Sequence, residues 1–256
     1  MKAVILAAGY ATRLYPLTKN FPKSLLKIAG KPLLEYTIEK ICSCEGIDTL
    51  FIITNSRFVN CFYDWLGAYQ KSNHSSMNIE IEILDDHTCS NESRIGSIAD
   101  LQLVLETKNI VDDVLVLCSD KMFEFTLLDF IEFFKQKHEI VNACFDTGEL
   151  ERIRHKHGCV VVDNNKRIVS FQEKPARPKS SIASIAFYIF PAKSLPRINQ
   201  YLKEGGNPDA PGNLLSWLVQ KDPAYAFLFS EDCYDIGTVE SYRQVNSIYM
   251  EKWPQN

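Results

Sequence analysis

The sequence predicts an α/β fold, and three features of its pattern carry that prediction. Short aliphatic runs alternate with amphipathic stretches of helical period through the first half of the chain. Most of these runs are almost wholly apolar, as is typical of the buried strands of a parallel sheet. In the second half, strands follow one another with short polar connections, which indicates hairpins in place of crossover helices.

The first half follows the order strand, helix, strand, helix, strand. The strict alternation of residues 79–83, IEIEI, is typical of a strand with one polar face. This order predicts a parallel sheet wrapped by helices, with ligands at the carboxyl ends of the strands. The strand runs are residues 3–7, 50–54, 79–83 and 114–118, and the helical stretches begin near Pro32, Phe58, Gly96 and Leu127.

The second half adds strands at residues 159–162, 168–172, 185–190 and 224–229, and helices near 195–202, at 214–219 and from Val239. No internal repeat, low-complexity segment or clear linker interrupts it. We therefore expect a single domain over residues 1–256. Its predicted fold is a Rossmann-like three-layer α/β/α arrangement with a central mixed, mostly parallel sheet and a small antiparallel elaboration.

Composition excludes several classes of protein. The 256 residues are 46% hydrophobic and 23% charged, which is ordinary for a globular chain. Lys and Arg total 28 against 32 Asp and Glu, so the net charge of −4 predicts neither nucleic acid nor a membrane as a partner. Eight cysteines, mostly in apolar runs and without a CxxC pair, favour a reducing cytoplasm. Because the net charge is negative, any bound anion must be held by positive groups at a local site.

One loop has the composition of a phosphate-binding site. Residues 6–23, LAAGYATRLYPLTKNFPK, follow the first strand, and Arg13 and Lys23 bring two cations toward the end of that strand. Neither a GxGxxG nor a P-loop pattern is present, because Gly9 is followed by no further glycine before Gly30. Small side chains that let backbone amides approach a ligand stand at Ala7, Ala8, Gly9 and Ala11.

This loop resembles the opening signature of the sugar-1-phosphate nucleotidyltransferases, LAAGxGTRLxPLTxxxPK. The chain departs from it at Ala11, where the family usually has Gly, and Ala is compatible there if the local φ is negative. Further blocks resemble the family in the expected order: GKPLLEY (30–36), GSIADLQLVLE (96–106), VLVLCSD (114–120), FQEKP (171–175) and CYDIGTVESY (233–242).

The resemblance implies a Mg²⁺-dependent nucleotidyltransferase. A sugar 1-phosphate would attack the α-phosphorus of a nucleoside triphosphate in line and release pyrophosphate, giving a nucleoside-diphosphate sugar. Residues 1–140 would form mainly the nucleotide-binding half and residues 141–256 mainly the acceptor-binding half. A homodimer is compatible with the resemblance, although no sequence feature specifies an interface.

The resemblance also assigns roles to individual residues. Arg13, Lys23 and Asp120 would be catalytic: Arg13 would neutralise the pyrophosphate, and Lys23 would bridge the α-phosphate and the incoming phosphate. Lys23, Glu173, Lys174 and Ser184 would bind the acceptor. The residues that would bind the nucleotide are Leu6, Ala7, Ala8, Gly9, Ala11, Thr12, Arg13, Asn91, Arg94 and Gly96.

Two carboxylates are candidates for holding the Mg²⁺ ion. Asp120 ends an apolar strand and Asp235 stands between Tyr234 and Ile236, where a charge is costly unless it is paired or metal-bound. Two such oxygen ligands together with phosphate oxygens suit Mg²⁺. Either Asp could instead cap a helix, since both precede candidate helix starts.

The acceptor strand leaves the substrate open. The family often has Asn-Ala-Gly where this chain has Ser184, Ile185 and Ala186, so an amide that would bind a sugar is missing. An alternative is therefore a cytidylyltransferase acting on a non-sugar phosphate or phosphonate, such as phosphocholine. A second alternative is a regulatory paralogue that binds nucleotide without catalysis.

Overall fold

The computed structural model describes residues 1–72 and 78–252. Its strands are β1 (Lys2–Leu6), β2 (Lys27–Ile28), β3 (Lys31–Pro32), β4 (Thr49–Thr54), β5 (Glu80–Asp85), β6 (Val114–Cys118), β7 (Lys121–Phe123), β8 (Ile140–Asp146), β9 (Gly158–Val162), β10 (Ile168–Gln172), β11 (Ile182–Phe190), β12 (Ala224–Phe229) and β13 (Cys233–Asp235). Its helices are α1 (Leu33–Cys42), α2 (Val59–Ser72), α3 (Ser97–Thr107), α4 (Leu127–Lys137), α5 (Leu150–Ile153), α6 (Pro196–Lys203), α7 (Pro211–Leu218) and α8 (Val239–Lys252).

The chain forms two compact units, each built from separate segments of the sequence. The first unit comprises Met1–Val4, Ile95–Leu117 and Phe125–Ser230. The second unit comprises Ile5–Arg94, Cys118–Glu124 and the chain from Glu231 onward. Strand β1 contributes residues to both units. The expected single domain, with a nucleotide-binding half and an acceptor-binding half, stays a prediction.

In the first unit, the long strand β11 organises the sheet. It pairs antiparallel with β6, β8 and β9, while β10 pairs antiparallel with β9 and β12 runs parallel to β8. Aromatic side chains fill the core beside these strands: Phe125 stacks on Phe229 with ring centroids 4.4 Å apart and also contacts Phe130 edge to face. The pairing confirms the antiparallel elaboration that the second half predicts.

Strand β8 is the largest element that the sequence pattern does not reveal. Its residues Ile140–Asp146 are buried except at the last two positions, yet Asn142 interrupts the apolar run. The Asn142 side chain is satisfied inside the sheet because its Nδ2 donates to the Phe187 carbonyl at 3.0 Å. A polar residue that finds its partner on a neighbouring strand is stable in the core, and sequence alone does not show that partner.

In the second unit, β4 and β5 pair in parallel, and two short antiparallel pairs, β2 with β3 and β7 with β13, stand apart from them. Helix α1 buries the apolar face that its periodicity predicts, with Leu34, Ile38 and Ile41 fully covered. A hydrophobic cluster of the unit joins both short pairs to α1 and α8. Its buried members are Leu14, Leu26, Ile28, Leu33, Met122, Ile236, Val245 and Tyr249.

The observed elements agree with the predicted ones to within a few residues at most boundaries. The first strand spans Lys2–Leu6 where residues 3–7 are predicted, and α3 begins at Ser97 where a helix beginning near Gly96 is predicted. Among residues 1–72 and 78–252, no helix combines the length and the apolar character needed to cross a membrane.

Candidate active site

The loop that follows β1 is fixed by buried hydrogen bonds in the second unit. Ala7 N donates to the Ile53 carbonyl at 2.9 Å, and the fully buried Asn55 donates from Nδ2 to the Ala8 carbonyl at 2.8 Å. Gly9 is exposed, and apart from its own chain neighbours no atom of the described residues lies within 4 Å of the place where its Cβ would be. The loop therefore has a rigid base and open space above Gly9, as a ligand-binding turn requires.

Ala11 does not have the negative φ that would make an Ala compatible with this position of the signature. Its φ of 47° and ψ of 45° lie in the left-handed region, so the condition of a negative φ is not met. Thr18 Oγ1 donates to the Ala11 carbonyl at 2.8 Å and holds this turn. The left-handed geometry explains physically why a glycine suits this position of the signature.

Lys23, Asp120 and Asp235 lie in one cluster in the second unit. Lys23 Nζ lies 3.0 Å from Asp120 Oδ2, and the Ile236 N–H donates to the Asp120 carbonyl at 2.9 Å. Antiparallel pairing of β7 with β13 places Asp235 directly opposite Lys121. The segments around residues 23, 120 and 235, far apart in sequence, are thus joined by backbone and side-chain contacts.

Arg13 belongs to the same cluster. The place where a Cβ on Gly237 would lie is 3.2 Å from Asp235 Oδ1 and 3.5 Å from Arg13 Nη2. Because Gly237 has no side chain, the Asp235 carboxylate and the Arg13 guanidinium can lie close to each other. The short helical turn Thr12–Leu14 carries Arg13, whose side chain is exposed.

Neither aspartate caps a helix. Asp120 is followed directly by β7, and Asp235 ends β13. At the start of α8 it is Thr238 whose Oγ1 accepts a hydrogen bond from Ser241 N at 3.1 Å. Neither carboxylate therefore has the helix-capping role that its sequence position allows.

Electrostatics keep the cluster charged at neutral pH. Burial alone would favour neutral Asp120, but Lys121 and Lys23 hold the pKa of this carboxyl well below its ordinary value. Burial likewise opposes the charge of Lys121, yet Asp120 and Asp235 raise the pKa of its ammonium group above the usual range. The cluster is therefore a set of fixed charges of both signs.

The two thiols beside the cluster stay protonated. Burial raises the pKa of Cys118 to about 12, with Asp120 adding to the effect. Burial also raises the pKa of Cys233 to about 12. Because only a thiolate is a good nucleophile, neither cysteine is suited to forming a covalent intermediate near neutral pH.

The carboxylates fit a hard divalent cation. Asp120 Oδ1 is buried and makes no hydrogen bond in the described part of the chain, although Lys121 Nζ lies 3.4 Å from it. Asp235 keeps a side chain that is 45% exposed. Within residues 1–72 and 78–252, no group of three or more His, Cys, Asp or Glu side chains is arranged to hold a metal ion. Further ligands would have to come from substrate oxygens or water.

Asn91 and Arg94, the candidate base-binding residues, also lie in the second unit. Arg94 is exposed, and its Nη1 donates to the Asn91 carbonyl at 3.0 Å. The preceding segment is anchored by Tyr10, whose hydroxyl shares a hydrogen bond with Thr88 Oγ1 at 3.0 Å. Their predicted contact with the nucleotide stays a prediction.

The remaining candidates belong to the first unit. Gly96 adopts a φ of 94° at the start of α3, and Ser184 is buried, with its Oγ accepting from the Ala186 N–H at 3.2 Å. Glu173 Oε1 lies 3.8 Å from the Nζ of the exposed Lys174. Burial raises the pKa of Glu173, because Lys174 offsets only part of the desolvation of the carboxylate. Their predicted nucleotide and acceptor roles stay predictions.

The sequence pattern does not single out two residues of the site. Asn55 follows the buried strand β4 directly, and Asp120 comes two residues after the end of β6, so the position of Asn55 at a strand end is an available signal. Lys121 is only 10% exposed and lies between the two carboxylates. Its proximity to Asp235 depends on the pairing of two three-residue strands, which no periodicity could reveal.

The chain as a whole matches a known protein family. The sequence pattern of the family described as Nucleotidyl transferase matches residues 2–252, so the chain belongs to that family. This match confirms the resemblance that the opening loop and the later blocks suggest.

Individual relatives have more specific names. The chain is 29% identical over 248 residues to a UTP–glucose-1-phosphate uridylyltransferase of Synechocystis, covering 95% of this chain and 62% of that protein. It is also 29% identical over 255 residues to a glucose-1-phosphate adenylyltransferase of Desulfitobacterium hafniense, covering 95% and 63%. The chain thus spans about three fifths of the length of the curated relatives it matches.

A solved structure shares the fold. UDP-glucose pyrophosphorylase complexed with UDP-glucose aligns with a TM-score of 0.81 at 21% identity, covering 98% of each chain. The predicted fold class is confirmed: three-layer α/β with a central mixed, mostly parallel sheet and small antiparallel sheets.

Proposed function

We propose that this chain joins a nucleoside triphosphate to a sugar 1-phosphate and releases pyrophosphate. The observation that carries the proposal is the cluster in which Arg13, Lys23, Asp120 and Asp235 lie close together in the second unit. The names of the relatives and the complex of a structural neighbour with UDP-glucose support it. Two anions must meet in this reaction, so local positive charge and alignment are what the protein has to supply.

The reaction is a substitution at phosphorus. An oxygen of the acceptor phosphate forms a bond to the α-phosphorus, and the bond from that phosphorus to the oxygen bridging toward the β-phosphorus breaks. The electron pair leaves with pyrophosphate. No covalent enzyme intermediate is required, in keeping with the neutral thiols of Cys118 and Cys233.

Residues of the second unit would bind the triphosphate. The turn from Leu6 to Thr12 would present backbone amides to the phosphates, and Arg13 would neutralise the departing pyrophosphate. Lys23 would contact the α-phosphate and the attacking phosphate. Asn91 and Arg94 would contact the base or ribose. The orientation of Lys23 is set by its ion pair with Asp120, at 3.0 Å.

Asp120 and Asp235 would hold a divalent ion, which we propose to be Mg²⁺. Such an ion, when bound, supplies positive charge to phosphate oxygens. In the first unit, Gly96 would contribute to nucleotide binding, Glu173 would accept hydrogen bonds from sugar hydroxyls, and Lys174 would meet the acceptor phosphate. Ser184 would serve as a second acceptor contact.

A screen for pyrophosphate release tests the proposal. Purified protein is incubated with Mg²⁺, each of the four common triphosphates and a library of phosphate acceptors, and we expect release with at least one hexose 1-phosphate. No release with any combination would contradict the proposal, and nucleotide binding without release would favour a regulatory paralogue.

Asp120→Asn tests the role of the carboxylate pair. We expect a loss of kcat of about 100-fold or more, as is typical when one group that stabilises transition-state charge is removed. The control is Asp64→Asn on the exposed face of α2, which should keep wild-type turnover. Full activity of the Asp120 variant would remove the metal assignment. Circular dichroism of both variants checks that they are folded.

A non-sugar acceptor is the second candidate, and the geometry at Ser184 favours it. The Ser184 hydroxyl accepts a hydrogen bond from Ala186 N inside the sheet, so this position offers no side-chain amide to a sugar. Mass spectrometry of products formed from phosphocholine, phosphonates and hexose 1-phosphates separates the two candidates.

A further inference from the structure

Lys121 stands between the two carboxylates of the candidate metal site. Its Nζ lies 2.5 Å from Asp235 Oδ2 and 3.4 Å from Asp120 Oδ1, and its side chain is 10% exposed. The β7–β13 pairing aligns Lys121 with Asp235, so the ammonium group is directed at this carboxylate by the backbone. The position of the ammonium is therefore built into the fold.

The charges of the cluster are already balanced by lysines. Lys23 Nζ pairs with Asp120 Oδ2 at 3.0 Å, while Lys121 Nζ contacts Asp235 and faces the second oxygen of Asp120. Two carboxylates are thus matched by two ammonium groups, and Arg13 adds a further positive charge close to Asp235. A site without net negative charge attracts a free divalent cation weakly.

A metal ion and the Lys121 ammonium would also compete for space. Mg²⁺ binds oxygen ligands at about 2.0–2.1 Å in near-octahedral geometry. An ion that touches both Asp235 Oδ2 and Asp120 Oδ1 would lie within a few ångströms of Nζ as it stands. Repulsion between the two cations at such a distance is strong in a partly buried site.

We propose that Lys121 is the resident counter-ion of this carboxylate pair in the free protein and excludes free divalent cations from it. The divalent ion would then bind together with the triphosphate, whose negative charges draw Lys121 away from Asp235. Lys121 is a positioning residue here, because it acts through Asp120 and Asp235. This inference rests on the proposed function, which supplies the reason for a metal at this pair.

Titration with Mn²⁺ alone, without nucleotide, tests the inference. Calorimetry compares wild-type protein with Lys121→Gln, and the matched control is Lys31→Gln, which removes the same charge from a lysine paired with Glu39 outside the cluster. We expect Lys121→Gln to bind Mn²⁺ at least tenfold more tightly than wild type, and Lys31→Gln to bind like wild type. An unchanged Mn²⁺ affinity of Lys121→Gln would overturn the inference.

A second variant and a stability measurement test the inference further. Lys121→Arg retains the positive charge and should bind Mn²⁺ as weakly as wild type; a tenfold gain in this variant would overturn the charge argument. If Lys121→Gln is unstable because two carboxylates are left without a counter-ion, its thermal midpoint should rise with added Mn²⁺. Wild-type protein that binds Mn²⁺ alone with micromolar affinity would overturn the inference without any variant.

Failure of this inference can be told apart from failure of the proposed function. Tighter Mn²⁺ binding by Lys121→Gln supports the role of Lys121 even if no substrate pair releases pyrophosphate. Conversely, pyrophosphate release by a wild-type protein whose Mn²⁺ affinity does not depend on Lys121 supports the proposed function and overturns the inference.

Discussion

At the scale of single residues, the candidate site includes a strained position at Ala11. A non-glycine residue in the left-handed region costs about 1–2 kcal/mol, whereas glycine adopts this region freely. The φ of 47° at Ala11 places this cost in the turn that would cradle the phosphates. Strain at a ligand-binding turn is compatible with function because the surrounding hydrogen bonds, such as that from Thr18 Oγ1, enforce it.

Ala11→Gly should therefore stabilise the protein. After the extra entropy of glycine in the unfolded chain is deducted, we expect a gain of about 0.5–1 kcal/mol in the free energy of unfolding. Urea denaturation with an unchanged m-value measures it. The control is Ala8→Gly, a buried position without a positive φ, where stability should fall. Equal or lower stability of the Ala11 variant would contradict the strain.

Glu173 is a partly buried carboxylate whose charge costs stability. Burial raises its pKa, so above that pKa the folded state carries a poorly solvated charge that the unfolded state solvates well. The stability of the wild type is thus highest below the unfolded pKa of glutamate and falls as the pH rises through the folded pKa. The full cost is present only above the folded pKa.

Glu173→Gln should consequently be more stable than wild type at pH 7, with a difference that shrinks as the pH falls below the folded pKa. Thermal unfolding at several pH values measures the difference. Its acceptor KM should rise, because the proposed role of Glu173 is to bind sugar hydroxyls. A variant that loses stability at pH 7 would show that the carboxylate is structural.

At the scale of secondary structure, short strands and single backbone contacts position residues of the candidate site as much as the long elements do. Strands β7 and β13 have only three residues each, yet their register places Lys121 opposite Asp235. In the first unit, the start of α3 depends on one close backbone approach: the Pro208 carbonyl accepts from Ile98 N at 2.9 Å. A Cβ on Gly96 would lie 2.6 Å from that same oxygen.

Gly96→Ala should thus be strongly destabilising. The variant combines an unfavourable φ of 94° with a clash against backbone, which cannot move as a flexible side chain would. We expect a loss of about 2 kcal/mol or more in the free energy of unfolding. The control is Gly67→Ala within α2, where a Cβ would meet nothing within 4 Å and should add about 0.5–1 kcal/mol. A neutral Gly96 variant would contradict the tight approach.

At the scale of the whole molecule, the sequence predicts the features that depend on local residue patterns. The α/β class and most elements follow from periodicity, and the signature places Arg13 and Lys23 beside the first strand. The contacts that complete the candidate site come from pairings between distant segments, such as Lys121 with Asp235 and Asn55 with the Ala8 carbonyl. Such pairings depend on tertiary register, which explains why β8 and Lys121 escape the sequence pattern.

The net charge of −4 and the local cations make opposite contributions to anion binding. Contacts to Arg13 and Lys23 would act within a few ångströms, whereas the net charge acts over distances comparable with the Debye length of about 10 Å at 0.1 M salt. The short-range attraction should dominate, because contacts of a few ångströms are well inside the Debye length. The binding of a phosphate anion should therefore depend on these cations and weaken at high salt.

Calorimetric titration with inorganic pyrophosphate at increasing NaCl concentrations measures this dependence. We expect the affinity to fall several-fold between about 0.05 and 0.5 M salt, since salt competes with each ion contact. Arg13→Gln should bind pyrophosphate more weakly and show a shallower salt dependence, because one contact is gone. Lys31→Gln, which removes a charge outside the cluster, should keep the wild-type slope. If the two variants changed the slope equally, the anion would be held by the general field of the protein, and the cluster around Arg13 and Lys23 would not be its binding site.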